Sequence, residues 1–250
     1  MERLPRQLVI VSLFVAFVVV VLGAYTRLVD AGLGCPDWPT CYGHFWVPKT
    51  IEEVELANAK FSHAPVEHEK TWPEQTHRIM AASLGLLFIV IVAVSGYLSF
   101  IIFLVIAFWH PVVMLLLIIC QGLFGMWTVT LLLWPQVVVS HLLGGFATVS
   151  LLFLLWLRIQ GGSWQLKNRD SFEKLLLLRG LLLTLLLFVI IQIFLGGWTA
   201  ANYAAVACAD FPKCHNQWWP QADFVQGFNI TQHIGPNYLG GQLDNHARTA

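Results

Sequence analysis

Between Arg78 and Arg158 lie 79 consecutive residues without one Asp, Glu, Lys or Arg. A water-soluble fold cannot use such a run, because a helix against a soluble core must keep one polar face toward water. At about 20 residues per crossing, the run has room for three membrane spans with tight turns. A β-barrel is excluded as well, since its strands would alternate apolar and polar residues in segments of about 10. Only 11% of the 250 residues are charged, and the 14 basic and 14 acidic side chains cancel. Without a basic field to attract phosphates, nucleic acid is not an expected partner. The expected fold class is an all-α, polytopic membrane helical bundle.

Prolines divide the neutral run, because Pro removes a backbone donor and tends to end a helix. Trp109-His110-Pro111 and Trp134-Pro135-Gln136 read as turns. They separate spans near Thr76–Phe108, Val112–Leu133 and Gln136–Leu157. Ahead of these, Gln7–Tyr25 reads as a retained span: its apolar stretch outruns a signal peptide and no small-x-small site follows Gly23. A fifth span covers about Gly180–Thr199. Arg3 and Arg6 precede the first span, and Arg158, Lys167, Arg169, Lys174 and Arg179 lie between the fourth and fifth. The positive-inside rule puts both groups in the cytoplasm and turns residues 26–75 and 200–250 outward.

The chain repeats itself. Gly23, Thr26, Cys35, Asp37, Pro39 and Cys41 recur 173 residues later as Gly196, Thr199, Cys208, Asp210, Pro212 and Cys214. Four spans separate the copies, so both units share one orientation and the pattern reads as a tandem duplication of a four-helix unit. Residues 1–160 form a first unit, 161–179 a cytoplasmic linker, and 180–250 the start of a second unit with one span. The sequence therefore reads as a truncated piece of an eight-span protein.

The two Cys-x5-Cys pairs fall on the side of the membrane that permits disulfides. Two readings are open, a structural disulfide in each loop or a redox-active pair serving a membrane site. Cys120 reads as buried core. His77 and His141 stand at similar depth toward the outer leaflet, on two spans that both descend from outside. Neutral imidazole is the usual axial ligand of haem iron, and facing helices of a bundle can hold a macrocycle. The bland alternative is a histidine bonded to neighbouring backbone. Glu74 is one turn before His77, where a carboxylate at a low-dielectric boundary can move protons; a solvated helix-entry charge is its alternative. Arg27 and Arg78, at the outer ends of their spans, are candidates to fork to haem propionates or plain interface anchors. Gln121-Gly122-Leu123-Phe124-Gly125 offers small residues for close approach. His44, His63, His68, His110, His215, His233 and His246 read as solvated.

Taken together, these segments resemble the haem A synthase family. The resemblance rests on Gly23-Ala24-Tyr25-Thr26-Arg27 before Gly32-Leu33-Gly34-Cys35-Pro36-Asp37-Trp38-Pro39-Thr40-Cys41, on Glu74-Gln75-Thr76-His77-Arg78, on Gln121 to Gly125 with Thr128-Val129, on Ser140-His141-Leu142, and on the Cys208–Cys214 segment. It implies an eight-helix enzyme of the bacterial inner membrane that oxidises a methyl group of haem O to a formyl group, giving haem A for terminal oxidases. By the resemblance His77 and His141 ligate the substrate haem, Glu74 is the catalytic carboxylate, and Cys35 pairs with Cys41 and Cys208 with Cys214. A haem b cofactor is expected in the second unit, its ligands mostly beyond Ala250. Haem O synthase and terminal oxidase assembly are the expected partners, and the electron acceptor stays open. The competing reading is a haem b electron-transfer protein, quinol-linked and cytochrome b-like.

Overall fold

The structure, a computed structural model, describes residues 3–102, 105–160, 169–210, 212–231 and 248–249. Its elements are α1 (Arg3–Leu28), α2 (Ile51–Lys60), α3 (His68–Ile102), α4 (Val105–Thr130), α5 (Pro135–Ile159), α6 (Arg169–Ala201) and α7 (Phe224–Gly227). Five of these, α1, α3, α4, α5 and α6, are long and apolar enough to cross a membrane. Among the described residues there is no strand, only two isolated bridges in loops. The all-α membrane architecture read from the neutral run is what the chain forms.

Two expected boundaries are corrected. The turn placed at Trp109-His110-Pro111 does not exist, because α4 begins at Val105 and runs through Pro111. A proline inside a membrane helix is tolerated where neighbouring helices and local adjustment satisfy the freed carbonyl, and Pro111 is fully buried. The helix carrying His77 ends at Ile102 and begins at His68 rather than Thr76, with Pro73 inside it. By contrast, Pro135 does open α5, at its first position, where no backbone donor is missed. In the segment read as a linker, residues 161–168 lie outside the described residues and the chain is helical from Arg169. No breaker interrupts Ser171–Arg179, and its Leu, Lys and Glu are good helix formers.

Contacts divide the chain into two compact units, Met1–Gln160 and Gly161–Ala250. In the first, α1 packs on α3 and α5, and α4 packs on the same two helices. The four spans thus close into a ring in which α3 and α5 stand diagonally opposed. One half is sealed by a packed core of Val9, Ala16, Leu84, Phe88, Ile91, Met114, Leu152 and Leu155. His77 and Gly125 lie seven and eleven positions from Leu84 and Met114 on their helices. At 1.5 Å rise per residue, that sets them roughly 10–17 Å from the core, toward the end bearing the cysteine loop.

The loop before α3 is a small fold of its own, centred on Cys35, Cys41, Tyr42 and Ala57. Cys35 and Cys41 are disulfide-bonded, as the resemblance implied. Asp37 organises the turn by accepting hydrogen bonds from the Tyr42 and Gly43 amides and the Thr40 hydroxyl. A capping box, in which Thr50 and Glu53 each accept the other's backbone N–H, starts α2. Tyr42 donates to the carbonyl of Ala64 at 3.0 Å or Pro65 at 3.1 Å. Burial, then the nearby Glu67, Glu74 and Asp37 carboxylates, push its phenol up to about 12. A raised phenol contributes stability below its unfolded value near pH 10, which is lost as pH rises through 12. Ultraviolet titration of the folded protein should show one tyrosine ionising last, a step that Tyr42→Phe removes; an unchanged profile would contradict this placement.

In the second unit, Cys208 and Cys214 form the corresponding disulfide. Asp210 again accepts from two backbone amides, those of His215 and Asn216. Cys214 bridges Gln217 as Cys41 bridges His44. The repeat seen in the sequence is thus a repeat of hydrogen bonding. α6 is exposed along most of its length, with Trp198 buried near its end, donating to the Gly227 carbonyl at 2.8 Å.

Candidate functional site

Where α3 leaves the cysteine loop, it bears Glu74, Gln75, His77 and Arg78 in just over one turn. The first two and the last hold the loop. Glu74, 4% exposed, takes the Cys35 amide on Oε2 at 2.8 Å and the Arg78 guanidinium on Oε1 at 2.5 Å. Arg78 donates to the carbonyls of Asp37 at 2.7 Å and Thr40 at 2.9 Å from Nη1. Gln75 donates to the Phe45 carbonyl at 2.7 Å. The loop approaches α3 so closely that a Cβ at Gly34 would overlap the Lys70 backbone, which explains a glycine before Cys35. The alternative of a solvated charge at Glu74 is overturned, since the side chain is buried and fully partnered.

Arg78 is therefore occupied as the rivet between loop and helix, with both terminal nitrogens engaged by protein oxygens. Arg27 sits at the end of α1 with Asp30 at 3.8 Å and 29% of its side chain accessible.

His77 points the other way from this cluster, into the ring. Its Nδ1 donates to the Val19 carbonyl of α1 at 3.1 Å. That fixes the tautomer with the Nε2 lone pair free, the form that ligates a metal. The ring lies against Gly23, with Cε1 3.0 Å from where a Cβ would stand. His141, on the diagonal helix α5, lies against Gly125 of α4 with Cε1 at 3.5 Å from the Cβ position. Its Nδ1 has no partner. Both imidazoles keep some accessible surface.

Among the described residues no three His, Cys, Asp or Glu side chains gather around one point. Two imidazoles from facing helices can supply the axial pair of a haem iron whose macrocycle gives the other four nitrogens, and that donor set fits haem iron.

Several expectations meet a different structure. Cys120, read as core, is exposed on the outside of α4. Gly122 faces open space, whereas Gly144 of α5 is the close-approach residue, where a Cβ would collide with the Gln121 carboxamide. His110 contacts the Arg158 guanidinium at 3.0 Å rather than water alone. His233 and His246 lie outside the described residues, and His215 is an exposed loop residue. The sequence reading did not see Gly23 and Gly125 as contacts of the histidines.

Five apolar helices, four of them closed around a diagonal histidine pair, define a polytopic helical membrane protein with an interior donor site. The chain belongs to the COX15-CtaA family, described as cytochrome oxidase assembly protein, whose model matches residues 6–239. It is 42% identical to a Shewanella oneidensis protein named heme A synthase, over 95% of this chain and 69% of that protein. Heme A synthases of Caulobacter sp. (strain K31) and Exiguobacterium sibiricum are 27% and 29% identical, over 85% and 84% of this chain. The chain spans 64% of the length of each of those two. No solved structure matches.

Proposed function

We propose that the first unit is the substrate site of a haem A synthase: it holds haem O between His77 and His141 while a ring methyl group becomes a formyl group. The observation that carries this reading is the diagonal pair itself, two inward imidazoles with the tautomer of one set by the Val19 carbonyl. Family membership and the name shared by the relatives support the reaction. Converting methyl to formyl is a four-electron oxidation that replaces two C–H bonds by C=O, so four electrons must pass to an external acceptor and protons must leave the ring edge. Glu74, three residues before His77 on α3, is the carboxylate we propose takes them. To do so it must release the Cys35 amide or Arg78, which couples proton uptake to the loop. Arg27 is the cation at that end of α1 with accessible surface for a propionate.

The product would supply terminal oxidases, with haem O synthase as donor, in a bacterial inner membrane with the N-terminus cytoplasmic and the cysteine loops outside. A haem b is the expected electron carrier of the second unit. Its described residues offer only the exposed His215, a poor fit for such a group, and no step is derived through it. A quinol-linked electron-transfer protein would use the same histidines without a carboxylate one turn away. Pigment extracted from cells that make haem O, express this chain extended by three further spans with a His-Arg start, and have no other source of haem A separates the two readings. Formyl haem is expected, and extraction of haem O and haem b alone would overturn the synthase reading.

A further inference from the structure

We propose that Gly23 and Gly125 are the positioning residues of the two imidazoles, each opening its helix so that a ring from the next helix meets the backbone. The inference rests on the bis-histidine reading above and deepens it. His77 packs on Gly23 and bonds the carbonyl of Val19, four residues earlier. His141 packs on Gly125, with Cε1 at 3.5 Å and Nε2 at 4.0 Å from where a Cβ would stand. In an α-helix the carbonyl of residue i−4 points at the amide of residue i, so the side chain at i covers the carbonyl's second lone pair. A glycine at i uncovers it. A glycine thus faces an imidazole twice, on α1 toward α3 and on α4 toward α5, and on α1 the ring also bonds the uncovered carbonyl.

Two further observations favour a purpose for these glycines. Glycine in a helix interior costs about 0.5–1 kcal/mol relative to alanine, and at Gly23 an alanine methyl would stand 3.0 Å from the imidazole Cε1 and push the ring aside. The local sequence also recurs: Gln121, Gly125, Trp127 and Thr128 reappear as Gln192, Gly196, Trp198 and Thr199 in α6. Gly196 is also the residue 173 positions after Gly23, so one glycine position answers to both. Its face in α6 is open, with nothing within 4 Å of a Cβ.

An outer-shell partner sets the orientation and basicity of a metal-bound histidine, and losing one typically lowers metal affinity about 10–100-fold. The test is titration of the purified full chain with haem O, read by Soret absorbance and by electron paramagnetic resonance, whose g values report the mutual orientation of two axial imidazoles. Gly23→Ala should weaken haem binding about tenfold and shift the g values, and Gly23→Val should abolish the low-spin signal. Gly125→Ala should act more weakly, because its Cβ would stand at ordinary contact distance of 3.5 Å. Gly85→Ala and Gly122→Ala, where a Cβ meets nothing, should match wild type. Alanine favours helix, so loss of fold is not expected in these variants, and helix content measured by circular dichroism checks it. A wild-type low-spin signal that survives unchanged in Gly23→Val overturns the glycine role alone. A wild-type chain that forms no low-spin haem at all overturns the bis-histidine reading with it.

Discussion

Arg78→Met is expected to free the cysteine loop from α3 and to destabilise the first unit by about 3–5 kcal/mol, the usual cost of breaking a buried ion pair from one side. The side chains of Arg78 and Glu74 are only 11% and 6% exposed, so solvent cannot replace the lost partner. Methionine matches the length of the arginine stem but leaves the carboxylate of Glu74 and the carbonyls of Asp37 and Thr40 without their donor. Thermal unfolding in detergent should fall by many degrees, and the loop around residues 43–67 should become open to protease. A variant that melts like wild type would show that the loop is held by its disulfide and Gln75 instead.

Glu74→Gln should keep haem bound and lower haem A formation by roughly 10²–10⁴-fold, the range for a positioned general base. The amide oxygen can still accept from the Cys35 amide, so the loop should suffer less than in Arg78→Met. Comparing the two variants separates the roles of the pair. If Glu74→Gln makes haem A at the wild-type rate, the carboxylate only anchors the loop.

Much of this was legible because the membrane leaves so few charges. Glu74 and Arg78 stood out as the last charges before 79 neutral residues, and the histidines stood out because an intramembrane imidazole needs a reason to be there. What Glu74 and Arg78 touch was not legible. Their partners at Cys35 and Thr40 are 39 and 38 residues away, and only the folded loop brings them back. Pro111 misled for a physical reason: the rule that proline ends helices is weaker where neighbouring helices can satisfy the freed carbonyl. The start of α2 was written in Thr50-x-x-Glu53 and passed unread. Gly23 was read as a repeat marker and Gly125 as generic close packing. Their meaning appeared only with the imidazoles in place.

The central claim is that His77 and His141 together ligate one haem O in the first unit. The most direct test is the electron paramagnetic resonance spectrum of the purified chain loaded with haem O, alongside His77→Ala and His141→Ala. A low-spin bis-imidazole signal is expected in the wild type, and each single variant should lose it. The same low-spin signal in both variants would contradict the account and move the ligands to other residues.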